Sequence, residues 1–462
     1  MKDTSKRFYI IAIGFLNLIF WVITFMCRKK GIGSDIITTI EGLELLIIGI
    51  LMAGVLSIFD DLFYAVPIFC YIPFVFSRPF DIKTIPIFLY IAIVVAVIGI
   101  IIHIYRFRPK LKIGKMFWGL AAIGVSLIFG GLGVSSNNQR FTQFIMMLFV
   151  SVGLLLVYTL FISSVKKVDF NIICDLINIL AAIIILQTFF SQLAYPDTLN
   201  KKTLNLGWGV GNNLSLMLLF TMPFAYYKAI VCKGIVRYSY LAYVGLEYFT
   251  IIFAFSRGCM LVGALGLAVM FILGFKFFKD DLILYSSLAF LLLTVAMFGG
   301  KYYISQNPET IEKLKKIMID GIKFDTLNGR MKIYSDLIVK SWDYPILGHG
   351  VYFPFSYDID VQGEGGYQWG HCTFLHALFT TGLFGTILLS YHMVEKYYGL
   401  IKKMNIKKFT LLFSFALSGL YGLFDISYFY INYMVVLIVV LVLADSHMER
   451  LFNFKFVEKY AS

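Results

Sequence analysis

The chain has 462 residues, 59% of them hydrophobic, 17% aromatic and only 15% charged, with a mean hydropathy of +0.82. Soluble domains carry nearer a quarter charged residues, and here apolar runs of about 20 residues, long enough for a helix to cross about 30 Å of hydrocarbon, recur along the whole chain. A soluble enzyme is excluded, and the formal net charge of +13 reads as the positive-inside bias of a membrane protein rather than as a nucleic-acid footprint.

Apolar runs predict spans near 8–26, 43–59, 62–76, 85–105, 116–134, 141–162, 171–195, 209–231, 238–255, 258–275, 282–299, 371–393, 409–424 and 427–444. The fold class expected is an all-α polytopic membrane protein of about 12–14 transmembrane helices with one large external loop. The first run has basic residues on both sides and no small-residue cleavage site, so it reads as a retained span rather than a signal peptide. The 62–76 run is short and holds Pro67 and Pro73. It either crosses together with 43–59 or forms a re-entrant hairpin with it, and the orientation downstream is the same in both cases.

Positive charge sets that orientation. Loops 106–115, 163–169, 232–237, 276–281 and 394–408 fall on one side with both termini, and that side holds most of the Lys and Arg. Both termini are therefore expected in the cytoplasm, and the polar stretch 301–370 outside. The chain divides into N-terminal helices (1–200), a second helical group (201–300), the external loop (301–370) and C-terminal helices (371–462). Six cysteines stand singly, with no CxxC pair, and read as membrane-packing residues.

A loop of this length is functional or disordered more often than it is a connector. Residues 308–322 space Ile311, Leu314, Ile317, Met318 and Ile322 as a helix. Residues 328–342 do the same with Tyr334, Leu337 and Ile338 on one face, and both helices suit the membrane surface over the bundle. Beyond Pro345 the loop turns aromatic and acidic, with Tyr352, Glu364 and Trp369 among residues that include no Lys or Arg from 351 to 369. Aromatic faces beside carboxylate acceptors suit a sugar, covering its C–H faces and taking its hydroxyl protons. The plainer alternative is an exposed loop with packing aromatics.

Two arginines stand near external span ends: Arg257 in the turn FSRGCML and Arg330 at the start of a loop helix. A guanidinium offers a planar fork of donors for phosphate oxygens, and one placed near hydrocarbon is a functional candidate. A snorkelling anchor is the alternative for Arg257. His371 opens a span on the external side, where an imidazole could take a proton from a sugar hydroxyl near neutral pH. His376 is five residues on, about 140° around a helix, so the two cannot face one ligand. Cys372 and His376 share a face, yet no further zinc ligands are spaced to join them. Glu247, Asp175 and Asp425 are charges inside apolar runs, and Glu247 at mid-span should pair within the bundle. There is no Walker motif, GxGxxG fingerprint or HExxH.

Four stretches, in order, resemble the bacterial O-antigen ligase and O-antigen/capsule polymerase superfamily. GVGNNLSLMLLFTMP (209–223) is similar to its Pro-Asn-x-Leu-Ala segment, with Gly211 in place of proline and Asn212 matching the asparagine. FSRGCML (255–261) resembles its Ser-Arg-Gly turn. NGRMKIYSDLIVKSWDYPILGHG (328–350) resembles its Gly-Arg…Trp…Pro-x-x-Gly-x-Gly signature, and HCTFLHALFTTGLFG (371–385) its His-Asn-x-Tyr/Phe-Leu…Gly-Leu-x-Gly. Cys372 departs from the usual asparagine. An arginine often found before the Pro-Asn segment is missing, with Lys201 and Lys202 nearby.

The resemblance implies a GT-C-like, metal-independent and cofactor-free inverting glycosyltransferase of the bacterial cytoplasmic membrane, working at its outer face. The donor implied is an oligosaccharide on undecaprenyl diphosphate, with a chain-length regulator and a flippase of the same pathway as partners. By the same resemblance His371 is the catalytic base. Arg257, Arg330 and Lys202 hold the diphosphate, and Asn212, Trp342, His349, Tyr352, Glu364 and Trp369 face sugar or acceptor. The motifs leave polymerase and ligase both open. A lipid-linked oligosaccharide flippase is the rival from another class, but it should line a cavity with charge from several spans, whereas polar residues here gather in one loop.

Overall fold

The computed structural model describes residues 3–77, 87–131, 140–195, 204–254, 256–283, 330–350, 371–428 and 430–451, with scattered positions between 285 and 305. Fourteen α-helices are described: α1 Asp3–Lys29, α2 Ser34–Ile58, α3 Ala65–Tyr71, α4 Ile87–Phe107, α5 Phe117–Gly131, α6 Arg140–Ser164, α7 Phe170–Ala194, α8 Gly211–Val231, α9 Ile235–Phe253, α10 Arg257–Phe277, α11 Arg330–Ser341, α12 Thr373–Ile401, α13 Ile406–Tyr421 and α14 Ile431–Ala444. No strand occurs among the described residues beyond an isolated bridge between Asn205 and Val210. Seven of the described helices are long and apolar enough to cross a membrane. The chain is an all-α, multi-pass membrane protein.

Side-chain contacts sort the helix ends into two sets. Lys6 meets Asp61 (3.5 Å), Arg7 and Lys228 share Asp175 (2.9 and 2.7 Å), Arg237 meets Asp281 (2.6 Å) and Lys408 meets Glu449 (3.5 Å). These pairs tie together loops that the charge pattern assigned to one side, so the bundle has a basic end. A further pair, Lys166–Asp60 at 2.6 Å, is more than half exposed on both partners, where such pairs are worth about 0–1 kcal/mol. Glu247 does pair inside the bundle, accepting from the Thr221 hydroxyl at 3.0 Å.

The short 62–76 run is a traverse rather than a hairpin. Asp61 sits against Lys6 near one end of α1, and Arg28 near its other end donates to the Ser77 carbonyl. Between them Tyr9 bonds the Tyr64 carbonyl (2.7 Å) and Asn17 the Tyr71 carbonyl (2.6 Å), so the segment runs beside and parallel to α1. Two 3-10 turns, Leu62–Tyr64 and Ile72–Phe74, flank the seven-residue α3. They stretch few residues over a long path because a 3-10 helix rises about 2.0 Å per residue.

Helix bounds differ from the apolar runs where polar residues lie inside a helix. α2 begins nine residues before the apolar run, and Thr38 and Thr39 bond back to the carbonyls of Ser34 and Asp35 (2.8 and 2.9 Å). α12 continues to Ile401, so residues 394–401 are helix, with Glu395 and Lys396 buried. The Glu395 carboxylate accepts from the Gly119 N–H (2.7 Å), and the Lys396 ammonium lies on the Phe415 and Tyr428 rings, which is how charge is tolerated there. The loop helix expected at 328–342 is α11, with Leu337 fully buried but Ile338 45% exposed. The helix expected at 308–322 lies outside the described residues.

α12 is broken at Gly382 (φ +66). An intact helix would join the N–H groups of 383 and 384 to the carbonyls of 379 and 380. Here the Leu383 and Phe384 N–H groups donate to the Pro345 and Ile346 carbonyls (2.8 and 3.3 Å), while His349 and Gly350 donate to the Phe379 and Thr380 carbonyls (2.8 and 2.9 Å). Every backbone group released at the break is re-bonded by the segment 345–350, which is what hydrocarbon surroundings demand of a broken helix. Pro-x-x-Gly-x-Gly and Gly-Leu-x-Gly are thus two halves of one joint. Gly348 (φ +71) has the Gly382 nitrogen 2.5 Å from where a Cβ would stand. Gly348→Ala is therefore expected to destabilise the protein by more than the roughly 1–2 kcal/mol of left-handed backbone alone, read as a lower melting temperature in detergent.

Candidate active site

At the end of the bundle opposite the basic one, four helices begin close together: α8 at Gly211, α10 at Arg257, α11 at Arg330 and α12 at Thr373. The described start of the connection between α13 and α14, residues 422–428, threads among them. Gly211 lies against the Ala254 carbonyl, and a Cβ on Gly258 would stand 3.1 Å from the Phe424 side chain. The Thr373 N–H donates to the Gly422 carbonyl (2.7 Å), and its hydroxyl accepts from the Ser427 N–H (3.1 Å). Each N-terminus points the positive end of a helix dipole at this region, a setting that favours anions.

Asp425 is the hub. Its Oδ2 accepts from Asn212 Nδ2 (2.7 Å) and the Tyr421 hydroxyl (3.0 Å), and its Oδ1 from the Ile426 N–H (2.9 Å). His371 Nδ1 stands 3.4 Å from the same Oδ1, with the carboxylate 2% exposed and the imidazole 28%. Burial alone would raise this carboxyl. His371, the Ile426 N–H and Arg330 together outweigh it and hold the group below the ordinary carboxylate range. Asp425 is accordingly an anion at neutral pH, fixed by three donors and turned towards the histidine.

His371 is held in the left-handed region (φ +47), uncommon for a residue with a side chain. Its carbonyl accepts the Tyr334 hydroxyl of α11 at 2.7 Å. Burial pushes the Tyr334 phenol up to about 12, so it remains a donor. The strained backbone and the anchored carbonyl set the imidazole between the buried carboxylate and the open side. The 3.4 Å separation is long for a hydrogen bond, as such pairs often are before a reaction tightens them.

The predicted residues divide into three groups. Asn212, Arg257, Arg330 and His371 are gathered around the Phe424–Asp425 segment: Arg330 Nη1 donates to the Phe424 carbonyl (2.8 Å), and Arg257 opens α10 beside Gly258. His349 is used in packing. Its ring stacks on Phe379 (centroids 4.3 Å, 7°), and its Nε2 bonds the Lys340 carbonyl (2.9 Å). Trp342, just past α11, is 76% exposed. Lys202, Tyr352, Glu364 and Trp369 lie outside the described residues. Asp425 was legible only as a charge in an apolar stretch. That signal was real, but the sequence did not say which imidazole it would meet. No set of three or more potential metal ligands occurs among the described residues.

Residues 242–390 match the family model described as O-antigen ligase. This stretch is similar to that family over about a third of the chain. The match supports O-antigen ligase/polymerase-type function and the superfamily that the four motifs resemble. No curated protein and no solved structure matches the chain. The matched stretch contains Arg257, Arg330, His349 and His371 but stops short of Asp425 and begins after Asn212. Asp425 therefore enters the site through geometry alone, and Asn212, already singled out by its motif, is bonded to it.

Proposed function

We propose that the protein is an inverting glycosyltransferase that joins oligosaccharide units carried on undecaprenyl diphosphate, working at the outer face of the bacterial cytoplasmic membrane with both termini inside. The observation that carries this reading is the His371–Asp425 pair lying at one end of the bundle among helix N-termini and two arginines. The opposite end collects the basic loops, which supports a cytoplasmic placement for that end.

In this reading Nδ1–H of His371 points at Asp425 and leaves Nε2 free as a base. Nε2 removes the proton of the acceptor hydroxyl while that oxygen attacks the anomeric carbon. The bond from that carbon to the diphosphate oxygen breaks, and the configuration at carbon inverts in the single displacement. The positive charge formed on the imidazole is stabilised by Asp425. The negative charge grown on the departing diphosphate is stabilised by Arg257, Arg330 and the helix N-termini. Lys202 would add a third cation, and Asn212 would hold Asp425 rather than sugar. A polymerase fits an acceptor that is itself a lipid-linked repeat. The ligase reading, with a different acceptor, uses the same residues. A flippase would leave the histidine–aspartate pair without a task.

The deciding experiment incubates the pure protein in lipid with a synthetic undecaprenyl-diphosphate-linked repeat. A ladder of products is expected. Product only after a second acceptor is added means a ligase, and no transfer with any acceptor overturns the enzymatic reading. Arg330→Lys is expected to raise KM for the lipid-linked donor about tenfold, because a point charge replaces a planar fork. Initial rates against donor concentration measure it.

A further inference from the structure

At the basic end, away from the candidate active site, a cavity of about 280 Å³ opens between three segments. They are the lead-in to α5, the α6–α7 connection, and the end of α14 with the turn after it. The three are bonded to one another. The Lys112 N–H donates to the Ser163 hydroxyl (2.9 Å), Arg450 Nη2 to the Ile113 carbonyl (2.8 Å), and the Lys115 N–H to Asp445 Oδ1 (2.6 Å). The cavity is thus a built feature of the fold. Its lining is mixed, with Ile162 and Leu443 among the apolar residues, and Lys112, Lys166, Lys167 and Arg450 carry its charge.

Positive charge on these loops is expected of any membrane protein. Its convergence around one concavity is not, and neither is its lack of neutralisation. Lys166 is paired with Asp60 (2.6 Å). Lys112, Lys167 and Arg450 have no carboxylate within ion-pair distance among the described residues. The single lining carboxylate, Asp445, accepts from the Lys115 N–H and is one negative charge set against four lining cations. We infer that this cavity binds a phosphate-bearing anion, and specifically the headgroup of an anionic phospholipid from the leaflet at the basic end. The apolar lining residues at the last turn of α14, Val442 and Leu443, separate the two sources of phosphate. A free phosphate has no use for them, whereas the glycerol and first acyl carbons of a lipid do. Basic pockets between helix ends are known to hold such headgroups.

The test uses the full chain reconstituted in phosphatidylcholine nanodiscs carrying a minority of phosphatidylglycerol, with retained lipid counted by native mass spectrometry. The wild type is expected to keep phosphatidylglycerol in preference to phosphatidylcholine. The variant Lys112→Gln/Lys167→Gln/Arg450→Gln is expected to lose that preference by about tenfold or more, each cation contributing as surface lysines do. Lys276→Gln/Lys279→Gln, on the same end but outside the cavity, is expected to leave it unchanged. An unaltered melting temperature guards against misfolding, and Lys167→Gln alone, at an exposed position, should give a partial loss if the triple variant is unstable. Equal loss in the Lys276/Lys279 variant would reduce the effect to general surface charge and overturn the site. Displacement of the lipid by millimolar inorganic phosphate would overturn the lipid in favour of the free anion. The readout is independent of glycosyl transfer, so it stands or falls apart from the proposed activity.

Discussion

His371→Ala is expected to abolish chain growth from lipid-linked repeats, lowering turnover on the order of 10²–10⁴-fold, the usual contribution of a positioned base. The protein should still fold. The imidazole is partly exposed, and the backbone contact that fixes its place is made through its carbonyl to Tyr334, which alanine keeps. The same φ near +47 is no easier for alanine than for histidine, so stability should change little. Donor binding should survive, because the arginines are untouched. Product length on gels, beside donor retention by the purified variant, reads both halves. Undiminished polymer length would remove the base assignment altogether.

Asp425→Asn is the second large effect. The amide is nearly isosteric and keeps an oxygen for Asn212 or Tyr421, but it brings an N–H towards His371. Nδ1 would then have to accept, leaving the proton on Nε2, where the base is needed. Turnover should fall on the order of 10²–10⁴-fold, as wrong-tautomer substitutions do, with donor KM nearly unchanged. A merely structural aspartate would move both together or neither.

Acid stability gives an independent reading of the same residue. Its carboxyl is held below the ordinary range in the folded protein. The stabilisation is complete above the unfolded-chain value of about 3.9 and is lost as pH falls through the lower folded value. The melting temperature of the wild type should therefore drop below about pH 4, and the asparagine variant should show a smaller drop in that window.

The sequence carried the all-α membrane class and the two-sided charge pattern plainly, because hydropathy and loop charge are additive along the chain, and seven of the described helices are long and apolar enough to cross. The gathering of Arg257, Arg330 and His371 was legible as well, since Arg257 and His371 stand at the mouths of apolar runs and Arg330 opens a loop helix on the same predicted side. Three things were not. The break in α12 hides inside a run that reads as continuous helix, and only the register of 345–350 against 379–384 reveals it. The packing of His349 was hidden, because a loop histidine carries no mark of the Phe379 ring beneath it. Asp425 was visible as a charge, yet its meeting with His371 depends on a contact 54 residues apart, set by how α13 packs.

The joint between 345–350 and the break in α12 also bears on how the chain enters a bilayer. The first half of α12 cannot rest in hydrocarbon by itself, since four backbone groups at the break would lack partners, each at several kcal/mol. Their partners precede α12 in the chain and must already be at membrane depth when it arrives. Insertion of this helix is therefore contingent on the loop before it. The helix that bears the histidine becomes a stable span only once the segment beside it is seated, so a polypeptide that fails to dock that loop fails to complete the membrane domain as well.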